Sequence, residues 1–151
     1  MLLRLLTRLQ IRRPVDAFLV RWFDYSLVSR GAVKGPGVSS IATFTLTTEG
    51  RQSGDLISLP IFYFADGDSF LIVGSVGGRA RHADWYHNLR AIPHAWVHIK
   101  RKRIPVTAVV LEGEERAQAW DRVSAEFPNY TVYQERAQPR EIPIVRLDPR
   151  G

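Results

Sequence analysis

Two short loops combine glycine, serine and arginine, the residue types that bind anionic groups. The first covers residues 50–54 (GRQSG) and the second covers residues 75–79 (SVGGR). Backbone amides, hydroxyls and a guanidinium can together hold a phosphate or a carboxylate, and glycine lets a ligand approach the backbone closely. Each loop taken alone also fits an ordinary hairpin turn, so the interpretation depends on the residues around them.

An indole and a carboxamide follow the second loop. Trp85 and Asn88 lie in residues 82–90, which are predicted to form a short helix that ends before Pro93. These two side chains beside an anion-binding loop suit a planar ring system that forms hydrogen bonds. The combination favours a ligand site over two unrelated turns.

Other catalytic and metal-binding patterns are missing from the sequence. The chain has no cysteine, which excludes disulfides, thiolate metal sites, iron–sulfur clusters and a cysteine nucleophile. His94 and His98 share one face of a predicted strand, but no third ligand is placed with them. Ser53 and Ser75 lie outside any GxSxG motif. We therefore expect neither a bound metal nor a serine hydrolase.

The positive charge of the chain is concentrated at its N-terminus. The formal net charge is +6, and residues 1–34 contribute +5 of it through seven bases and two acids. Residues 35–151 carry 14 bases and 13 acids, a net charge of +1. A nucleic-acid-binding barrel needs its bases on the folded surface, and the only dense basic run there is residues 100–103 (KRKR). We expect no nucleic-acid partner.

Residues 1–34 are predicted to form a basic amphipathic helical arm. Leucines at positions 2, 5, 6 and 9 fall on one helical face, and arginines at positions 4, 8 and 12 fall on another. The arm either packs on the domain with its arginines solvated or binds an anionic membrane surface, where each base contributes about 1 kcal/mol. No run approaches the roughly 18 apolar residues of a membrane span, and the start lacks a signal-peptide pattern. The expected location is cytoplasmic, with the arm as a candidate attachment to the inner face of the membrane.

Residues 35–151 are predicted to form one mainly β (α+β) domain that begins at a Gly-Pro-Gly joint. Apolar residues alternate with threonines along residues 42–47, the period of a strand with one buried face. We expect about six antiparallel strands that close into a small barrel, because closure removes exposed edges. The predicted strands are 42–47, 56–64, 70–74, 95–100, 104–111 and 142–147, and the predicted short helices are 82–90 and 114–127.

The order of these motifs resembles the deazaflavin-dependent nitroreductase family, whose members use coenzyme F-420. The match runs from about Ser40 to Arg146 and includes several spaced motifs. They are LTTEGRQSG at 46–54, Pro60, DGD at 66–68, SxGG at 75–78, WYxNLRAxP at 85–93, PxYxxY at 128–133 and IPIV at 142–145. The resemblance implies a split β-barrel of the flavin-reductase type, and barrels of this type often pair as homodimers.

The resemblance also implies an oxidoreductase that transfers hydride from a reduced deazaflavin to an electron-poor small molecule, such as an enone, a quinone or a nitro compound. The first loop would receive the acidic tail of the coenzyme, the proline would meet the ring edge, and the second loop and helix would hold the phosphate and the ring. The implied cofactor-binding residues are Arg51, Ser53, Gly54, Pro60, Ser75, Gly77, Gly78, Arg79, Arg81, Trp85 and Asn88. Tyr130 and Tyr133 would cover the substrate pocket and bind or protonate the substrate.

Three positions depart from the family pattern. Gln52, Ile57 and Val76 stand where the family commonly has basic residues, which leaves Arg51 and the arginines at 79 and 81 for an acidic tail. The alternative interpretation is therefore a non-catalytic split barrel at the membrane surface that binds FMN, FAD or a lipid.

Overall fold

The computed structural model describes residues 42–151. The predicted arm at 1–34 and the joint at 35–37 lie outside these residues. Within residues 42–151, no helix is long and apolar enough to cross a membrane.

The described part of the chain forms seven strands and three helices. The strands are β1 Thr43–Glu49, β2 Leu56–Phe62, β3 Phe64–Asp66, β4 Ser69–Val73, β5 His94–Ile99, β6 Lys102–Val110 and β7 Ile144–Pro149. The helices are α1 Asp84–Ala91, α2 Gly113–Glu126 and α3 Asn129–Ala137, and a 3₁₀ turn covers Val76–Gly78. Both predicted helices are confirmed. The sequence did not assign the third helix, which contains the two tyrosines of the PxYxxY motif.

All seven strands belong to one antiparallel sheet in the order β2-β1-β5-β6-β7-β4-β3. β2 and β3 stand at opposite edges of the sheet, yet only Tyr63 separates them in the chain. The sheet must therefore curl until its two edges approach each other, which gives a half-barrel. This confirms the predicted barrel and corrects one strand, because the predicted strand 56–64 is divided at Tyr63 into two pieces that pair with different neighbours.

Aromatic packing fills the place where the two edges meet. The ring of Tyr63 stacks on Phe44 with a centroid distance of 4.6 Å, and it meets Phe70 edge-on at 5.5 Å. The amide of Tyr63 donates to the carbonyl of Ala42 at 3.1 Å. Offset and edge-on aromatic pairs add about 0.5–1.5 kcal/mol to the burial of the rings. These contacts stabilise the curled form.

Two hydrophobic clusters lie on opposite faces of the sheet because successive strand residues point to opposite sides. Ile72 of β4 and Val145 of β7 belong to the first cluster, which includes buried residues of α1. Leu71 and Ile144, one position away on the same two strands, belong to the second cluster, which packs under α2 and α3. The sheet thus carries α1 on one side and the other two helices on the other.

Two of the turns that join neighbouring strands differ in composition. Gly67 provides the positive φ (60°) of the predicted turn between β3 and β4. Between β5 and β6, however, Lys100 and Arg101 both adopt positive φ, at 47° and 63°. Asn-Gly is the usual pair for such a two-residue turn, so this hairpin places two basic side chains where glycine is normally found.

Candidate functional site

The first loop is a tight turn between β1 and β2. The amide of Gly50 donates to the carbonyl of Asp55 at 2.8 Å, and the amide of Gly54 donates back to the carbonyl of Gly50 at 2.8 Å. Gly54 has a φ of 75°, which suits glycine. The hydroxyl of Ser53 accepts from the amide of Asp55 at 3.1 Å, so it shapes the loop. Residues 51–55 are exposed to solvent.

Asn88 joins the first loop to α1. Its Oδ1 accepts from the backbone amide of Arg51 at 3.2 Å and from the Nη1 of the same residue at 2.8 Å. Its Nδ2 donates to the Oγ1 of Thr48 at 3.3 Å, and only 3% of Asn88 is exposed. The structure thus brings together Arg51 and Asn88, two residues that the sequence predicted for one site. Asn88 lies behind the loop and fixes it.

The guanidinium of Arg51 is shared with the first turn of α1. Its Nη1 lies 3.4 Å from the carbonyl oxygen of Asp84, and its Nη2 lies 3.8 Å from the Oδ1 of Asp84. The carboxylate is exposed, so this ion pair contributes little to stability. An anion that binds here has to share Arg51 with Asp84.

Trp85 and Pro60 occupy less exposed places than the first loop. Trp85 is 7% exposed and packs in the first hydrophobic cluster, so its indole supports α1 from within the core. Pro60 is half-buried on β2, opposite Thr45 of β1. β2 is an edge strand of the sheet, a place where proline is tolerated because it cannot donate to the ladder of backbone hydrogen bonds.

The second loop turns back through the 3₁₀ turn and packs against α3. Gly77 and Gly78 have φ values of 63° and 80°. A Cβ on Gly78 would lie 2.7 Å from the carbonyl oxygen of Tyr133 and 2.9 Å from its Cα, so only glycine fits there. A Cβ on Gly77 would meet nothing within 4 Å, so the space over this residue is open. Arg79 and Arg81 follow on the exposed surface.

The two predicted tyrosines are separated by their burial. Tyr130 is 3% exposed, and its ring packs edge-on against Phe127 at 4.8 Å. Burial raises the pKa of Tyr130, so its hydroxyl stays protonated. Tyr133 is only half-buried and borders the second loop at Gly78. The positions favour Tyr133 over Tyr130 as a group that meets a ligand.

Arg140 is a residue of this site that the sequence did not indicate. Its guanidinium donates to the carbonyls of Gly74 at 3.0 Å, Ser75 at 2.9 Å and Arg79 at 2.7 Å. Its Nη1 also lies 3.2 Å from the Nδ1 of His82. Burial and the charge of Arg140 lower the pKa of His82, which favours the neutral imidazole, whose Nδ1 can accept the bond. No local pattern links residue 140 to a loop more than sixty positions earlier.

Comparison with known proteins identifies the family. The model of the family described as F420H(2)-dependent quinone reductase matches residues 20–149. The F420H(2)-dependent quinone reductase Rv1261c of Mycobacterium tuberculosis is 38% identical over 108 residues, which cover 70% of this chain and 72% of that protein.

Solved structures agree with this match. An F420-H2-dependent reductase, FDR-A, is 33% identical with a TM-score of 0.64, over 70% of this chain and 93% of that one. A structure described as a domain-swapped dimer is 31% identical with a TM-score of 0.65, over 80% of this chain and 90% of that one. The family model spans far more than half of the sequence, and the half-barrel agrees with the solved relatives. The chain therefore belongs to the F420H(2)-dependent quinone reductase family.

Proposed function

We propose that the protein is an oxidoreductase that uses the reduced deazaflavin coenzyme F420 to reduce a quinone-like small molecule. The observation that carries this proposal is the contact of the first loop with the beginning of α1, the helix that the second loop precedes in the chain. Arg51 of the first loop contacts Asp84, the first residue of α1, and the second loop ends at Arg79, five residues before it. We therefore propose that the two loops and the beginning of α1 together form the coenzyme site of this family member.

The donors at this helix end fit an acidic, phosphate-bearing coenzyme. The N-cap residue of α1 is Ala83, whose methyl side chain cannot accept hydrogen bonds from the free amides of the first turn. Arg79 and Arg81 are exposed and form no ion pair within residues 42–151. Helix N-terminal amides and guanidinium groups both favour bound anions. The open space over Gly77 leaves room for a ligand to approach the second loop.

The coenzyme, when bound, supplies the hydride, and the chain binds and orients the reactants. Reduction of a quinone by one hydride also requires one proton to give the hydroquinone. Tyr133 borders the second loop and is half-buried, so its hydroxyl is the group we propose for binding the acceptor oxygen or supplying that proton. Tyr130 lies inside the second hydrophobic cluster and is proposed to support α3.

The coenzyme proposal is tested by titrating the full chain with F420, FMN and FAD in parallel. We expect F420 fluorescence to be quenched and Gln52→Lys to tighten F420 binding about 10-fold. The reason is that a charge-assisted hydrogen bond exceeds a neutral one by about 1 kcal/mol or more. Gln118→Lys adds the same charge on α2, where the side chain is also exposed, and should leave the affinity unchanged. Binding of FMN, FAD or a lipid without any response to F420 would support the alternative interpretation and overturn this one.

Tyr133 is tested by kinetics at saturating coenzyme. Tyr133→Phe is expected to lower kcat for quinone reduction by about 10- to 100-fold and to leave the Kd of F420 unchanged, because only the hydroxyl is removed. Tyr130→Phe is the matched variant on the same helix, and its hydroxyl is buried away from solvent. We expect kcat to be close to normal in that variant. Equal losses of kcat in the two variants would contradict the role of Tyr133.

The half-barrel is further proposed to form a homodimer through its β2 edge. Leu56 and Ile57 are 54% and 45% exposed on this edge strand, which pairs on one side only with β1. A relative described as a domain-swapped dimer supports the proposal. Light scattering of the full chain should give the mass of two copies, and Leu56→Lys should reduce the dimer fraction. Val109→Lys places a lysine at another exposed strand position, on β6, and serves as the control. A monomeric wild type would refute the dimer.

Residues 1–34 are proposed to contact an anionic membrane surface together with the basic turn at residues 100–103. The pairing of Thr45 with His98 places the start of β1 beside this turn, so the chain enters the described domain next to it. The four basic side chains of the turn are exposed. The basic turn thus lies at the end of the half-barrel where β1 begins, opposite the first loop.

Vesicle co-sedimentation of the full chain tests this contact. Binding to vesicles that contain anionic phosphatidylglycerol is expected, and the double variant Arg101→Gln with Lys102→Gln should weaken it about 10-fold or more, at about 1 kcal/mol for each base. The control, Arg90→Gln with Arg136→Gln, removes two exposed charges elsewhere and should change little. Equal binding to neutral phosphatidylcholine vesicles, or no binding at all, would disprove the role.

A further inference from the structure

We infer that Arg140 is a positioning residue that turns three backbone amides of the second loop toward the phosphate side of the coenzyme site. The inference rests on the proposed function, and it adds a residue from outside both loops. The guanidinium of Arg140 donates hydrogen bonds to the carbonyls of Gly74, Ser75 and Arg79.

These bonds fix the direction of the amides, because the C=O and N–H of a trans peptide unit point in opposite directions. The carbonyl of Gly74 shares its peptide unit with the amide of Ser75, the carbonyl of Ser75 with the amide of Val76, and the carbonyl of Arg79 with the amide of Ala80. Each of these three N–H groups therefore points away from Arg140. Within residues 42–151, none of them donates to a backbone carbonyl.

Such a set of unbonded amides is the kind of group that binds an anion. Arginine suits the opposite side of the loop because its planar guanidinium has five donors in a fixed arrangement, whereas lysine has a single ammonium. One guanidinium thus joins the beginning of the loop, at Gly74 and Ser75, to its end at Arg79. The two ends cannot move apart without breaking these bonds.

Arg140 is itself held in place by α3. Nε2 of Gln134 donates to the carbonyl of Arg140 at 2.8 Å, and Oε1 of the same side chain accepts from the amide of Ile142 at 2.8 Å. In addition, α3 contacts the second loop directly, because the backbone of Tyr133 lies against Gly78. The helix that carries the proposed substrate-facing tyrosine therefore also sets the shape of the second loop.

The experiment combines hydrogen exchange of residues 74–82 with F420 titration of the full chain. Arg140→Gln should speed exchange in this loop and weaken F420 binding about 10- to 100-fold, because charge-assisted bonds to the loop are lost. Arg140→Lys keeps the charge and should recover only part of the affinity. Arg122→Gln is the control, since Arg122 also donates to a backbone carbonyl, that of Ala65 in β3, away from the second loop. It should alter neither measurement.

If Arg140 were needed only for folding, free guanidinium ion could not restore the F420 affinity lost in a variant without the side chain. We expect guanidinium to restore F420 binding in Arg140→Ala, as measured by the same fluorescence titration at a concentration that leaves the wild type folded. Unchanged loop exchange or unchanged F420 affinity in Arg140→Gln would overturn the inference while the proposed function stands. A wild type that binds no F420 would overturn the proposed function, and loop exchange would still show whether Arg140 holds the loop.

Discussion

The chain crosses from one edge of the sheet to the other at a single residue, and the rest of the structure depends on that crossing. β2 ends at Phe62 and β3 begins at Phe64 on the far edge, so Tyr63 alone spans the change. A flat seven-stranded sheet would separate these edges by six strand spacings of about 4.8 Å each, far beyond the reach of one residue. The sheet therefore has to curl, and the stacking of Tyr63 on Phe44 occupies the place where it closes.

Curling also determines how the candidate site is built. The first loop ends β1, the second loop follows β4, and these strands lie far apart in the sheet order, with β5, β6 and β7 between them. Neither loop is held by the sheet alone. Asn88 of α1 binds the first loop with a buried carboxamide, and Arg140, after α3, binds the second loop with a guanidinium. A side chain of α1 and a side chain that follows α3, from opposite faces of the sheet, thus give the two loops fixed shapes.

The proposed coenzyme site has a local excess of positive charge, although the domain as a whole is nearly neutral. Residues 35–151 carry a net charge of only +1, but Arg51 contacts the start of α1, and Arg79 and Arg81 precede that helix by five and three residues. Arg51 is shared with Asp84, while Arg79 and Arg81 face solvent. The position of these arginines matters more than the net charge of the domain, because interactions between exposed charges are screened beyond about 10 Å at ordinary ionic strength. The proposed coenzyme site needs no charge from the basic N-terminal segment.

The sequence by itself determined the strand periods, two of the three helices, the glycine loops and the order of motifs that resembles the family. These features follow from local conformational preference, such as positive φ at Gly54 and Gly78, and each can be recognised within a few residues. Only the tertiary structure decided that Trp85 belongs to the core, that Tyr130 is buried while Tyr133 borders the second loop, and that Arg140 holds that loop. Arg140 and Gly74 are 66 positions apart, and their contact exists only because the sheet curls and α3 packs beside the loop. Such a contact leaves no spacing pattern in the chain, so the residue types alone could not reveal it.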